Sequence, residues 1–169
     1  MVVRRTSFGP LQARIFPRCE LNALATTSAL DYLNEWLNLP RSHARRDLQR
    51  LARVLNLLTH FEMENFMLLE SLIRATERYH SKHGRVSKVE RTTMQTIRTA
   101  YQLPERERQP VFIRLRDRLH ELRQQPEERS VLELFDLESW VTARVERRSF
   151  AGVVTEKFRR VSEEPRGGE

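Results

Sequence analysis

Hydrophobic residues recur every three or four positions along most of this chain, which is the spacing that places them on one face of an α-helix. In the segment 28–39, for example, Leu33, Trp36 and Leu37 fall on one side of a helix that Pro40 ends. The same spacing predicts six further helices. They cover 43–61, 66–84, 87–101, a stretch from 105 or 111 to 125, 126–147, and a short helix that Ser149 caps.

Composition agrees with an all-α fold. The 169 residues match the size of one ordinary domain, and the chain is 39% hydrophobic and 31% charged with only 5 glycines. Few runs of β-branched residues suggest strands. We therefore expect an all-α antiparallel array of helical hairpins with about six or seven helices.

Helix-breaking residues set the expected domain limits. Gly9, Pro10 and Pro17 interrupt the N-terminal part, so we expect an irregular segment at 1–26, a helical domain at 27–161 and a disordered tail at 162–169. The first predicted helix then lacks an obvious partner for its apolar face. Either the residues before it supply an irregular cap, or the chain is the C-terminal piece of a longer protein, or a remnant with no independent role.

The sequence contains no signal for membrane insertion or export. No apolar run approaches the roughly 20 residues that a spanning helix needs, and the N-terminal segment lacks the apolar core of a secretory signal. The lone Cys19 cannot form an internal disulfide, which fits a reducing compartment. We expect a cytoplasmic chain that does not enter a membrane.

The net charge of +7 and the pI of about 10.4 suggest an acidic partner or nucleic acid. The most concentrated basic surface lies on the second predicted helix, where Arg46, Arg50 and Arg53 share one face. The opposite, buried side is expected to comprise Leu48, Leu51, Ala52, Leu55, Leu58 and Thr59. The three arginines form the candidate partner-binding face, although Asp47 interrupts the row and plain solvation explains it equally well.

Candidate chemistry is sparse. The nearest approaches to a metal site are the group Glu77, His80 and His83 and the group His60, Glu62 and Glu64. The first group lies at a helix end, where histidines interact with the last carbonyl groups, and the second does not gather on one helical face. No nucleophile, phosphate-loop or dinucleotide motif is present. The sequence therefore predicts a protein that is not an enzyme and has no metal or cofactor.

Two runs of sequence resemble the tetratricopeptide repeat family. The run 28–40 is similar to the second helix of a repeat with its closing proline, and the run 58–66 resembles the junction between the two helices of the next repeat. Glu64 occupies the position where the family usually has glycine, so we expect a slightly different turn. Further runs resemble the C-terminal region of large, uncharacterised bacterial tetratricopeptide-like proteins, namely 46–49, 52–53, 55–57, 60–62, 65, 68–70, 74–76 and 134–140.

This resemblance implies an α-solenoid that serves as a scaffold for protein contacts, without catalytic residues to carry over. Stacked helix pairs create an extended surface suited to a peptide or another helix. We expect a non-catalytic protein-interaction module, with a basic helical nucleic-acid-binding or regulatory protein as the alternative. Salt separates the two, because phosphate binding weakens steeply with ionic strength. Neither the partner nor the oligomeric state follows from the sequence.

Overall fold

A computed structural model describes residues 46–163 together with Asp31, Asn34 and Leu37. The continuous part forms seven α-helices and contains no strand. The helices are α1 (Arg46–Glu62), α2 (Phe66–Lys82), α3 (Lys88–Ala100), α4 (Glu105–Arg123), α5 (Pro126–Leu134), α6 (Leu137–Glu146) and α7 (Phe150–Glu163). The all-α class expected from the sequence is confirmed for these residues.

The first predicted helix, 28–39, lies mostly outside the described residues. Its three described positions are helical, with Asp31 and Asn34 exposed and Leu37 half-buried. The predicted irregular segment at 1–26 lies outside the described residues entirely. The predicted tail at 162–169 is described only as far as Glu163, which is the last residue of α7.

Helix α1 is buried on more sides than its pattern predicts. Of the residues expected on its buried side, Ala52, Leu58 and Thr59 are buried, and Leu51 and Leu55 are half-buried. Other buried positions are Gln49, Val54, Asn56, Leu57, His60 and Phe61. The reason is that α1 packs against both α2 and α3, so a single buried face is not enough.

The junction between α1 and α2 is a tight turn. Glu64 adopts a left-handed conformation with φ of 55°, the region that glycine enters without a steric penalty. A residue with a β-carbon therefore occupies a conformation that favours glycine. The amide of Asn65 closes the turn by donating to the His60 carbonyl at 3.0 Å.

Helix α3 begins with a complete capping box. Ser87 Oγ accepts a hydrogen bond from the Glu90 amide at 3.0 Å, and Glu90 Oε2 accepts one from the Ser87 amide at 2.9 Å. This arrangement confirms the start predicted at 87. Helix α4 starts at Glu105 rather than after Pro110, because its second turn accommodates the proline on an exposed side.

The predicted single helix at 126–147 is wrong, because the chain breaks into α5 and α6. Phe135 is extended, with φ of −148° and ψ of 133°, and Asp136 caps α6 by accepting a hydrogen bond from the Ser139 amide at 3.1 Å. The break turns the Phe135 ring onto that of Phe150, with centroids 6.2 Å apart. Ser139 Oγ also donates to Asp136, at 2.7 Å.

The core connects the helices through a chain of aromatic rings. Phe61 of α1 contacts Phe66 of α2 and Phe112 of α4, both at 5.8 Å between centroids, and Phe112 meets Trp140 of α6 at 5.7 Å. Edge-to-face pairs of this kind stabilise a core beyond their buried area. Leucines and an isoleucine with almost no exposure fill the space around the rings, namely Leu57, Leu69, Ile97, Leu115, Leu119 and Leu122.

Candidate functional site

The basic row, which we define as Arg46, Arg50 and Arg53, begins at the first residue of α1. The structure does not describe the side chain of Arg46. Arg50 is half-buried: Nη1 donates a hydrogen bond to the His83 carbonyl at 3.2 Å, and Nε lies 3.7 Å from Glu90 Oε1. Arg50 therefore joins the start of α1 to the end of α2 and the start of α3.

Arg53 is also half-buried and stacks on an aromatic ring. Its guanidinium carbon lies 4.0 Å from the ring centroid of Tyr79, and the ring of His83 stacks on Tyr79 at 4.1 Å. The Tyr79 hydroxyl donates to Gln49 Oε1. The face expected to be solvated is therefore a helix–helix interface at Arg50 and Arg53. Its use by a partner stays a prediction.

Two buried carboxylates meet at the start of α3. Glu128 of α5 accepts a hydrogen bond from the Val89 amide at 3.1 Å, and Glu90 completes the capping box with Ser87. Burial raises the pKa of Glu90 and the nearby Glu128 raises it further, whereas Ser87 and Arg50 lower it. These carboxylates satisfy free helix amides, so their arrangement is that of a cap.

A second charged contact ties α1 to α6. Glu62 accepts a hydrogen bond from Trp140 Nε1 at 2.9 Å and pairs with Arg144 at 2.8 Å. Burial raises the pKa of Glu62, while Arg144 and the Trp140 hydrogen bond lower it. Because 78 residues separate Glu62 from Trp140, no local sequence pattern predicts this contact.

The structure separates the members of both candidate metal groups. Glu77 pairs with Arg98 at 2.9 Å, His83 stacks on Tyr79, and His80 points into the α1–α2 interface. In the other group, Glu62 turns toward α6. No three His, Cys, Asp or Glu side chains converge as metal ligands within the described part of the chain.

The most unusual surface feature is an apolar patch at the α1–α2 junction. The methionine patch, which we define as Met63, Met67 and Leu68, exposes 39%, 93% and 49% of these side chains. Sequence reasoning missed this patch. The sequence does contain one indication of it. Met67 and Leu68 fall outside the apolar stripe of α2, which includes Phe66 and Leu69.

A cavity and a groove lie among the described helices. A small apolar cavity of about 10 Å³ lies between α1, α3 and α5, with Leu55, Thr93 and Val131 among its lining residues. A larger, open groove of about 310 Å³ lies between α6 and α7. Its charged side chains pair with one another, as in the 2.5 Å contact of Arg148 with Glu156. Neither the cavity nor the groove gathers groups suited to a reaction.

Comparison with known proteins does not connect this geometry to a family. No protein-family model matches this chain, and no curated protein or solved structure matches it at a significant level. Among the described helices, none is both long enough and apolar enough to cross a bilayer.

Proposed function

We propose that this chain is a non-catalytic protein-interaction scaffold of helical-repeat type, acting in the cytoplasm. The methionine patch carries the proposal, because three of the five large hydrophobic side chains that are exposed in the described residues lie within six positions of each other. Exposed apolar side chains that cluster on a protein surface are typical of a site that a partner covers. Methionine adapts its shape to different apolar surfaces, which suits a recognition site.

The packing of the helices supports a tetratricopeptide-like α-solenoid. Helices that follow each other in sequence pack together, as α1 does with α2 and α3 does with α4. Helices two places apart also pack, as α1 does with α3, α3 with α5 and α4 with α6. Stacked hairpins produce this combination of neighbouring helices. In the proposed solenoid, the turn that carries the methionine patch lies at one edge of the stack.

The structure favours the methionine patch over the basic row as the primary contact. Arg50 and Arg53 already form a hydrogen bond and a ring stack within the fold. A partner would have to displace these interactions, whereas Met67 is open to solvent. In this proposal, the basic row contributes through the parts of its side chains that stay exposed. Its positive charge also attracts an acidic partner from a distance.

One observation supports the alternative function, that of a basic nucleic-acid-binding protein. Arg78, Arg91 and Arg114 are exposed and form no ion pair with any described residue. They lie on three different helices, α2, α3 and α4. Unpaired arginines are the groups that neutralise phosphates and release counterions.

An affinity capture with matched variants tests the proposal. The baits are the wild-type chain, the double variant M63D/M67D and the control L134D, which alters a similarly exposed leucine on α5. Each capture is run at about 0.1 M and about 1 M salt, where the Debye length falls from about 10 Å to about 3 Å. Half of each lysate receives nuclease first.

We expect one defined protein to bind the wild-type chain and L134D at both salt concentrations, and to be absent from the M63D/M67D capture. Equal capture by M63D/M67D and L134D would contradict the role of the patch. Recovery of salt-sensitive nucleic acid instead of protein would establish the alternative. In that case, the variant R78Q/R91Q/R114Q should reduce the slope of log K against log salt by up to about 0.9 for each phosphate that is no longer neutralised.

A further inference from the structure

A buried histidine lies at the interface of α1 and α2, near the end of α2. His80 is only 2% exposed, and neither ring nitrogen forms a hydrogen bond of normal geometry. The ring of Tyr79 packs against it edge-on, with centroids 6.4 Å apart. Buried polar groups are usually paired, so an unpaired imidazole in the interior requires an explanation.

The charges that surround His80 are mostly of one sign. Arg50 and Arg53 of α1 both act on it electrostatically, and both have a buried Nε atom that lacks a hydrogen-bond partner. The acidic groups nearby are already occupied. Glu77, on the same helix, pairs with Arg98 of α3 at 2.9 Å, and Glu90 of α3 faces Arg50 at 3.7 Å.

From this arrangement we propose that His80 is an acid-sensitive latch, whose protonation releases the last turn of α2 from α1. An imidazolium at this position would be buried within the electrostatic influence of two arginines and without a free carboxylate to accept its protons, and the backbone of Arg50 would favour the charged form only in part. Separation of the two helices relieves both the repulsion and the loss of hydration. The latch is independent of the proposed function and would act on whatever surface the α1–α2 hairpin presents.

The direction of the effect follows from proton linkage. Burial lowers the pKa of His80 below its usual 6.5, Arg50 and Arg53 lower it further, and the Arg50 backbone and Glu77 oppose part of this effect. The unfolded or opened form therefore binds a proton more readily. The interface is fully stable above about pH 6.5 and loses stability as the pH falls from there toward the lowered pKa.

Other groups in the molecule respond to acid in different places. Burial also lowers the pKa of His60, but this residue lies at the opposite end of α1. Burial raises the pKa values of Glu62 and Glu90, so acid relieves the cost of burying their charges. A global measurement mixes these effects, and only a measurement resolved along α2 isolates the latch.

Hydrogen exchange of the full-length chain at pH 7.5 and pH 5.5, followed for each helix and corrected for intrinsic exchange rates, tests the latch. For the wild type, we expect the opening of the last turn of α2 to increase by up to about tenfold per pH unit below 6.5, while α4 stays protected. The variant H80L removes the titrating group and should abolish this increase. The control H120L alters an exposed histidine on α4 and should leave it intact.

A second variant keeps the test decisive if H80L does not fold. R53Q leaves the imidazole in place and removes one of the two adjacent charges, so the increase between pH 7.5 and 5.5 should be smaller than in the wild type. An unchanged acid response of this turn in R53Q, or in a folded H80L, would overturn the proposal. So would uniform loss of protection across all helices of the wild type.

Discussion

The packed pair α1–α2 and the packed pair α4–α6 differ in which side chains they bury and which they expose. Between α4 and α6, apolar side chains such as Phe112, Leu119 and Val141 fill the interior. Between α1 and α2, the interior contains Gln49 and His80, while Met63 and Met67 are exposed at the turn that joins the two helices. The contact of α4 with α6 also includes polar groups, such as Gln109, which donates to the Val145 carbonyl at 2.8 Å, but these groups are paired. The α1–α2 pair differs because it buries an imidazole without a hydrogen-bond partner and leaves a methionine almost fully exposed.

The largest expected effect concerns the apolar region. Leu119 is completely buried in α4, so L119A should lower the free energy of unfolding by about 2–5 kcal/mol through reduced burial and a residual cavity. Urea denaturation followed by circular dichroism measures the change. The matched control is L134A, which truncates a half-exposed leucine and should cost about 0.5 kcal/mol or less. Equal losses in the two variants would contradict the described burial.

The next effect concerns the contact that joins the two regions. R144M leaves Glu62 partly buried with only the Trp140 hydrogen bond, and should cost about 1–2 kcal/mol at neutral pH. Because the variant raises the folded-state pKa of Glu62 further, the loss should shrink as the pH falls toward 4 and the carboxyl gains a proton in both states.

Denaturant titrations of R144M at several pH values measure this trend. The control R74M breaks the exposed pair with Glu70 on α2 and should leave the stability unchanged at every pH. A pH-independent loss in R144M would show that packing, and not the charge pair, accounts for the effect.

A smaller effect is expected where α5 and α6 separate. Although burial raises the pKa of Asp136, hydrogen bonds from Lys157 and Ser139 lower it below its usual 3.8 overall. Its contribution is therefore present above pH 3.8 and is lost as the pH falls through the lowered value. D136A should cost about 1 kcal/mol at neutral pH because the cap is removed. The difference from the wild type should vanish in strong acid, which thermal melts at successive pH values test.

The smallest expected effect is a gain of stability at the turn between α1 and α2, which contains Glu64. E64G removes a side chain from a left-handed position, and should stabilise the protein by about 0.5–1 kcal/mol. The control E64A keeps a β-carbon and should not gain as much. If E64A and E64G are equally stable in urea titrations, repulsion between Glu64 and Glu62 accounts for the gain instead of backbone strain.

Local patterns predicted most helices with small errors at their ends. The spacing of Val111, Phe112, Leu115, Leu119 and Leu122 predicted both α4 and its buried face, and Ser87 marked the start of α3. The break at Phe135 was missed because the apolar positions before and after it continue one helical period. Asp136 and Ser139 have the spacing of a helix cap in the sequence. Only the three-dimensional structure shows that a new helix starts there and that the helix before it does not continue with the same apolar spacing.

The candidate site was less accessible to prediction than the fold. Helical spacing predicted that Arg46, Arg50 and Arg53 share one face of α1, but it gave no information on α2, which packs against Arg50 and Arg53. Met67 and Leu68 fall outside the apolar stripe of α2, but this position alone does not show that their side chains are exposed. Hydrogen bonds such as those between Glu62 and Trp140 or Val89 and Glu128 join residues far apart in the chain, and no local rule relates them.

By itself, the sequence determined the helical class, the positions of most helices and the apolar face of helices such as α4, because these depend on side-chain period and on local capping. Only the tertiary structure decided which polar groups are buried and which apolar groups stay exposed. His80 is an interior group and Arg53 is half-buried because α2 packs over α1, whereas the side chain of Met67 stays exposed although Phe66 beside it packs against Arg108 of α4. Whether a side chain is buried depends on the residues that pack around it, and the packing of the whole chain decides which residues these are.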